Sequence, residues 1–460
     1  MIRIFNHYIP RQTIFQIALD ALLLASIVLV MAVLEWRTIA NLGPLAPSQI
    51  LSLAAGTAVI GTATGLYRRS AGMSWPRVAA RAVFSLLVAL PLVYALFSFT
   101  GLDAPDRAML QWAAMAGVTA VVLRRAYLLA TGLQAGRRTR VLVFGAGEPA
   151  RIVGDTLLRS DPNVEIVGFL PGPNEAAAAV PREQLLASTD ALLATVRQLA
   201  IDEIVVALTE RRSGSMPLRQ LLDCKLHGVK VYDLPTHFEK RLGQIRVDFV
   251  NASWLIFGDG FNQGAWRNVV KRAFDVVFSL LLLILSAPVM LLTALLIKFD
   301  SRGPVLYRQE RVGQGGETFM VAKFRSMRTD AEKDGKPRWA TAQDDRVTRV
   351  GNIIRKLRID ELPQLFNVLR GEMSLVGPRP ERPYFVEQLT QKIPYFAARH
   401  SVKPGVTGWA QVRYQYGSTV EDAVEKLQYD LYYVKNHSLF LDLVVLFETV
   451  GVVLTGKGAR

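Results

Sequence analysis

The hydrophobic positions of the chain follow different patterns in its first, middle and last regions. The first region predicts a four-helix transmembrane bundle over residues 1–135, because each of its four apolar stretches approaches the ~20 residues that a spanning helix needs. Basic residues concentrate at both ends of this region and in the loop after the second stretch, which predicts cytoplasmic ends. This alternation of loop charge disfavours the alternative, a buried soluble helical domain. The stretches cover residues 14–34, 47–66, 78–99 and 108–130.

The middle region, residues 136–235, alternates short apolar runs with helical runs and predicts a small Rossmann-like α/β domain. Its first strand is followed by Gly145, Gly147 and Ala150, the Gly-x-Gly-x-x-Ala form of a dinucleotide-binding turn. An acidic residue to hold a ribose is not evident after the second strand, so we expect no NAD, and dimerisation or regulation is favoured over cofactor binding. Strands are predicted at residues 140–144, 165–169, 203–207 and 229–232.

A linker with short strands is predicted over residues 236–264, and the last region covers residues 265–460. Near its start this region contains an apolar run over residues 276–297. The run is long enough to span a membrane. However, basic residues flank both of its ends, and Ser286 and Pro288 interrupt its middle, where proline removes a helical hydrogen bond. A helix–break–helix that enters and leaves on one membrane face fits both features better than a fifth span.

The composition shows a high positive net charge and a single cysteine. The formal net charge of +15 suits an anionic partner, such as a membrane surface, nucleic acid or a phosphorylated substrate. The single cysteine excludes an internal disulfide, and one cysteine with five histidines forms no zinc-ligand pattern. The N-terminus lacks a small-residue cleavage site behind a short apolar core, so we expect it to be retained.

The most informative charged stretch covers residues 355–380. Asp360 and Glu361 lie side by side there, with Arg355 before them and Arg379, in a Gly-Pro-Arg-Pro corner, after them. Pro363 suits the first turn of a new helix, which would place Asp360 near the helix N-terminus and stabilise its charge. A permanently ionised carboxylate beside arginines suits a nucleophile for phosphoryl chemistry. The alternative is that Asp360 is only an N-cap.

This stretch resembles the signature of the bacterial sugar transferase family, the monotopic polyprenyl-phosphate hexose-1-phosphate transferases. Further blocks of the family occur in order: GPVLYRQERVG at 303–313, KFRSM at 323–327 and KPGVTGWAQV at 403–412. The resemblance implies an α+β monotopic phosphoglycosyl transferase domain with a re-entrant membrane helix. It also implies transfer of hexose 1-phosphate from a UDP-sugar to polyprenyl (undecaprenyl) phosphate with release of UMP, the first membrane step of exopolysaccharide assembly.

The resemblance also assigns residues to roles. Asp360 matches the nucleophile that carries a covalent phosphosugar, and it matches the contact of a divalent ion, which we expect to be Mg²⁺. Glu361 matches the second acid, which would handle the acceptor's proton or order the site. Arg355 matches a phosphate-binding arginine.

Three further residues come from the pattern of charges. Lys323 and Arg325 alternate on a strand-like stretch and could face a diphosphate together, and Arg379 could bind phosphate bidentately. One departure is Arg358, which with the following isoleucine stands where the family commonly shows Ser-Leu.

The resemblance implies a multi-pass protein of the bacterial inner membrane with its catalytic domain on the cytoplasmic face, where UDP-sugars are. A fifth span would put Asp360 on the other side, which also favours re-entry. Expected partners are a UDP-sugar, polyprenyl phosphate, membrane lipids and a second copy of the chain, and not nucleic acid. The sugar cannot be read from the sequence; glucose or galactose is the family expectation.

Two other functions are disfavoured. A membrane-tethered nucleotide-sugar oxidoreductase or epimerase would need a Tyr-x-x-x-Lys pair, and that spacing does not occur in the chain. A non-catalytic anchor or transporter leaves the acid–arginine stretch unexplained.

Overall fold

The computed structural model divides into two compact units, Pro10–Leu242 and a second that joins Met1–Ile9 to Gly243–Arg460. Strands β1 (Ile2–Ile4) and β2 (His7–Ile9) form an antiparallel pair, and helix α1 covers Thr13–Leu23. Apart from β1, β2, α1 and Ser26, the predicted transmembrane bundle lies outside the described residues. The structure describes residues 2–4, 7–9, 13–23, 26 and 138–455, without 161–163, 173–174, 176–178, 188–190, 209–215, 251, 259, 262–263, 330–345, 415–416 and 418.

The middle region contains a four-stranded parallel sheet with strand order β4-β3-β5-β6. All four predicted strands are confirmed. Strand β5 is buried along its whole length and β3 over its last four residues, as expected for parallel strands covered by helices on both faces. The elements, in chain order, are β3 (Thr139–Phe144), α2 (Glu148–Ser160), β4 (Val164–Leu170), α3 (Leu192–Gln198), β5 (Glu203–Val206), α4 (Leu218–Leu226) and β6 (Lys230–Asp233).

The segment predicted to be a linker with short strands contains helices and no strand among its described residues. Helix α5 (Leu234–Leu242) follows β6 directly, and α6 covers Ala252–Phe257. The predicted short strands were wrong, because Leu234 and Phe238, one helical turn apart, are both buried, and burial of such a stripe stabilises a helix.

Helix α7 (Ala265–Asp300) is a continuous helix of 36 residues. Among the described residues it is the helix that is long and apolar enough to cross a membrane. The break predicted at Ser286 and Pro288 does not occur, because both residues lie within the helix. Proline removes one backbone donor, and the leucine-rich turns on both sides keep the remaining helical hydrogen bonds.

Both ends of α7 are fixed to the same compact unit. Near its start, Lys271 Nζ lies 2.8 Å from Asp442 Oδ2, and the Leu375 N–H donates to Asp275 Oδ1 at 3.2 Å. At its end, the Val350 N–H donates to Asp300 Oδ2 at 3.3 Å. Between these ends, most apolar side chains from Val277 to Leu296 are exposed.

The remaining elements of this unit follow α7 in the chain. Strands β7 and β8 form an antiparallel hairpin, and β9 pairs in parallel with β10. The core includes Met373, Trp409 and Tyr432. Predicted helix 420–436 is confirmed as α12. The elements are β7 (Leu306–Val312), β8 (Thr318–Phe324), α8 (Arg349–Lys356), α9 (Gln364–Arg370), β9 (Ser374–Val376), α10 (Pro383–Lys392), β10 (Gly405–Thr407), α11 (Trp409–Arg413), α12 (Val420–Asn436) and α13 (Leu439–Thr455).

Candidate active site

The acid pair lies on a tight turn between α8 and α9. Helix α8 is capped by the Thr348 hydroxyl, which accepts the Gly351 N–H at 2.9 Å. After the helix ends, Arg358 adopts a left-handed conformation with φ 55° and ψ 20°, which is uncommon for a residue other than glycine. The chain then forms one 3₁₀ turn over Ile359–Glu361, which carries both acids.

Asp360 does not cap the helix that follows it. The N-cap position of α9 is Pro363, and no side chain caps the helix there. The alternative that Asp360 is only an N-cap is therefore wrong, and so is the expectation that a helix N-terminus stabilises its charge. The intervening 3₁₀ turn is the reason, because it separates Asp360 from the first turn of α9.

Glu361 is buried and held by three basic side chains. Arg379 Nη2 donates to Oε1 at 2.9 Å, and Lys323 Nζ lies 3.7 Å from the same oxygen. Arg358 Nη1 lies 3.4 Å from Oε2. Burial alone would raise the pKa of Glu361, but the three cations outweigh it and hold the pKa well below its usual range. Both oxygens of this carboxylate are therefore committed to cations.

The neighbouring Asp360 carboxylate is in a different environment. Within the described part of the chain it makes no hydrogen bond and no ion pair. Burial, followed by the charge of Glu361, raises the pKa of Asp360 to about 6, although nearby basic side chains offset part of the rise. The sequence predicted a permanently ionised group, whereas burial in the structure favours the protonated form of this carboxyl more than in an ordinary aspartate.

The cations that act on Asp360 come from three separate elements. They are Lys323 on β8, Arg355 on the last turn of α8, and Arg379 in the Gly-Pro-Arg-Pro corner. Burial, and then the charge of Arg379, lowers the pKa of Lys323 to about 8. The structure thus brings together three of the four phosphate-binding residues that the sequence predicted.

The fourth, Arg325, is engaged elsewhere. Its side chain is buried and donates to the carbonyl oxygens of Ser301 at 2.7 Å and Arg302 at 3.0 Å, and to the Ser301 hydroxyl at 2.9 Å. These groups lie at the C-terminal end of α7, where unpaired carbonyls need donors. Arg325 therefore fixes the end of the long helix.

Two arginines that were not predicted from the sequence donate hydrogen bonds to backbone carbonyls of the Gly-Pro-Arg-Pro corner. Arg399 is buried, donates to the Arg379 carbonyl oxygen at 2.9 Å and lies 2.7 Å from Asp430. Arg311 donates to the Pro380 carbonyl oxygen at 3.1 Å. No local pattern signals these contacts, because the partners are far apart in the sequence. Arg358 did have a signal, since it stands where the family commonly shows serine.

The glycine turn of the middle unit is occupied by a side chain of the same chain. Glu175 accepts hydrogen bonds from the N–H groups of Ala146 at 2.6 Å, Gly147 at 3.4 Å and Gly172 at 3.1 Å. Gly145 has φ 133°, and a Cβ there would lie 2.5 Å from the Ala207 carbonyl oxygen, so this position requires glycine. The donors that would face a phosphate in a dinucleotide turn thus face a carboxylate.

A divalent ion would find its free protein ligand at Asp360. The described residues contain no cluster of three or more His, Cys, Asp or Glu side chains that could hold a metal. Mg²⁺ is usually bound by one or two carboxylates together with substrate phosphates. The unpaired carboxylate of Asp360 fits that requirement, whereas the oxygens of Glu361 are already used.

This chain is similar to known proteins over its last region and over most of its length. Residues 266–456 match the family model described as bacterial sugar transferase. The UDP-glucose:undecaprenyl-phosphate glucose-1-phosphate transferase of Escherichia coli K12 is 31% identical over 418 residues, which cover 87% of each chain.

Other relatives are more similar over shorter segments. The UDP-N-acetylgalactosamine-undecaprenyl-phosphate N-acetylgalactosaminephosphotransferase of Aeromonas hydrophila is 44% identical over 56% of this chain and 60% of its own length. The undecaprenyl-phosphate glucose phosphotransferase of Komagataeibacter xylinus is 48% identical over 40% of this chain and 36% of its own length. The match to these two proteins therefore spans less than two thirds of each relative. The near-full-length similarity to the Escherichia coli protein and the family match together show that this chain belongs to the bacterial sugar transferase family.

Proposed function

We propose that this protein transfers a hexose 1-phosphate from a UDP-sugar to undecaprenyl phosphate and releases UMP. The observation that carries the proposal is the unequal environment of the acid pair. Glu361 binds the basic side chains, while Asp360 lies among positive charges with no partner in the described part of the chain. An ionised, unpaired carboxylate beside cations is the arrangement that attack on a phosphate group requires.

In the first step, an oxygen of Asp360 attacks the β-phosphorus of the UDP-sugar. The bond from that phosphorus to the bridging oxygen breaks, and UMP leaves with the electron pair. Lys323, Arg355 and Arg379 would bind the diphosphate oxygens and stabilise the charge that develops on them. The product is a sugar-phosphoryl aspartate.

In the second step, a phosphate oxygen of undecaprenyl phosphate attacks the phosphorus of this intermediate. The bond to the Asp360 oxygen breaks, which regenerates the carboxylate and yields the undecaprenyl diphosphosugar. When Mg²⁺ is bound, it would neutralise diphosphate charge and assist the departure of UMP. Asp360 is the residue with a carboxylate available to hold that ion.

The acceptor is a membrane lipid, so the active site must lie at the membrane. We infer that α7 enters and leaves the membrane on the cytoplasmic face of the bacterial inner membrane. Both of its ends contact the rest of the same compact unit, while its middle exposes apolar side chains. A bend at Pro288 within the continuous helix would let α7 enter and leave on one face. The exposed side chains would contact lipid.

The sugar and the product polysaccharide follow from the relatives only in outline. The relatives include both glucose and N-acetylgalactosamine transferases, and one relative is an exopolysaccharide production protein of Rhizobium leguminosarum. We propose a UDP-hexose or UDP-N-acetylhexosamine donor and a role at the start of exopolysaccharide assembly.

The test is isotope exchange in the full-length protein in lipid nanodiscs without undecaprenyl phosphate. Radiolabelled UMP should enter UDP-glucose, UDP-galactose or UDP-N-acetylgalactosamine, since a covalent intermediate forms before the acceptor binds. The sugar-phosphoryl group should map to Asp360 in acid-quenched protein. If nucleotide is released only when acceptor is present, and as UDP, the proposal is refuted.

A further inference from the structure

The backbone conformation at Arg358 requires an explanation. This residue follows the C-cap of α8 in the left-handed region, a position that glycine or asparagine usually fills. A residue with a Cβ there costs about 1–2 kcal/mol. Such strained positions persist at functional sites, where the side chain contributes something that glycine could not.

The side chain of Arg358 contacts one specific oxygen. Its Nη1 lies 3.4 Å from Glu361 Oε2, whereas Arg379 and Lys323 approach Oε1 at 2.9 and 3.7 Å. The two sides of the carboxylate are therefore held by different cations. With one oxygen held by Arg358, the other is directed at the two cations that also act on Asp360.

This arrangement separates the roles of the two acids. A carboxylate whose oxygens are both engaged by cations is poorly placed to accept a proton from an acceptor lipid. It can instead hold flexible basic side chains in a fixed direction before the substrate binds, which is how a preorganised site stabilises developing charge.

We propose that Arg358 is a positioning residue that acts through Glu361, so that this anion orients Arg379 and Lys323 toward the diphosphate of the donor. Glu361 then serves the first half-reaction, the transfer to Asp360, and does not act as the proton acceptor of the second. This inference rests on the proposed function.

The test compares substitutions of similar size in the full-length protein in nanodiscs. Arg358→Gln keeps a side chain in the left-handed backbone conformation but removes the positive charge. Arg358→Lys keeps both the side chain in that conformation and the positive charge. The matched control is Lys356→Gln, which removes an exposed cation from the same turn. The readout is exchange of labelled UMP into the UDP-sugar that wild-type protein exchanges fastest, measured without acceptor.

We expect Arg358→Gln to slow the exchange about tenfold, the scale of one hydrogen bond to a charged group, and to raise the KM for the UDP-sugar. Arg358→Lys should stay within about threefold of wild type, and Lys356→Gln should match wild type. Because Arg358 acts through Glu361, the double variant with Glu361→Gln should be no slower than Glu361→Gln alone.

Several results would overturn the inference. One is a normal exchange rate in Arg358→Gln. Another is a double variant whose exchange is slower than that of Glu361→Gln alone by the full factor seen for Arg358→Gln. A third is a normal exchange rate in Glu361→Gln with loss of the acceptor-dependent step only. If Glu361→Gln does not fold, the comparison of Arg358→Gln with Arg358→Lys still decides. Failure of the proposed function has a different signature, because wild-type protein itself would then show no exchange without acceptor.

Discussion

Two turns in this protein bind a carboxylate, and they do so in opposite ways. In the middle unit, the glycine turn directs backbone N–H groups at Glu175. In the unit that contains residues 243–460, three basic side chains bind Glu361, while the adjacent Asp360 has no partner within the described residues. The first turn is satisfied by its own chain, and the second keeps one acid available.

The difference shows that a motif defines a reactive site only when some of its groups stay unpaired. The glycine turn has the backbone donors of a phosphate site, but each hydrogen bond to Glu175 would have to be broken before a phosphate could bind. At the second turn, Glu361 binds cations that would otherwise pair with Asp360. In the proposed reaction, one acid of the pair thereby leaves the other available for attack.

The prediction with the largest expected effect replaces one acid of each turn by its amide and compares turnover. We expect Asp360→Asn to lower acceptor-dependent turnover by more than about a thousandfold, because an amide cannot form the phosphoryl intermediate. Glu175→Gln should leave turnover within about twofold of wild type, since the change is confined to a turn outside the proposed chemistry. Turnover is measured as UMP release, and folding is checked by thermal melting. Substantial turnover by Asp360→Asn would contradict the contrast.

The second test concerns a cation, Arg325, that is bound away from the acid pair. Arg325 is buried and donates to the end of α7, so Arg325→Gln should lower the free energy of unfolding by about 2–4 kcal/mol. The remaining folded protein should keep its KM for the UDP-sugar. Arg308→Gln, which removes an exposed arginine, should change stability by less than about 0.5 kcal/mol. A raised KM with unchanged stability would restore Arg325 to the phosphate-binding set.

Local patterns predicted the elements but not the pairing of charges. The four strands of the middle sheet and helix α12 follow from apolar periodicity, which short-range sequence contains. The continuity of α7 through Pro288 was missed because one lost hydrogen bond does not end a long apolar helix.

The candidate site shows the same limit. The resemblance made Asp360, Glu361 and Arg355 candidates, and the charges of the same block added Arg379. The contact of Arg325 with Ser301, and that of Glu175 with the glycine turn, depend on tertiary contacts, so their pairing could not be read from the sequence.

The smallest expected effect is the pH dependence of kcat/KM. It distinguishes the two acids of the pair, because their pKa values are shifted in opposite directions. Asp360 has a pKa raised to about 6, so its ionised form is lost as the pH falls through 6. Glu361 has a lowered pKa and stays ionised over the same range. In a ping-pong reaction, kcat/KM for the UDP-sugar reports the free enzyme and the first half-reaction alone. It should therefore fall about tenfold for each pH unit below 6.

The basic side of the profile identifies the cation. Lys323 has a pKa lowered to about 8, so kcat/KM should also decline above pH 8 as this charge is lost. Lys323→Arg supplies a cation that does not titrate in this range, so it should remove the alkaline decline and leave the acid limb in place. A profile that stays flat down to pH 5 would mean that Asp360 is no more perturbed than an ordinary aspartate, and the contrast between the two acids would then lose its electrostatic basis.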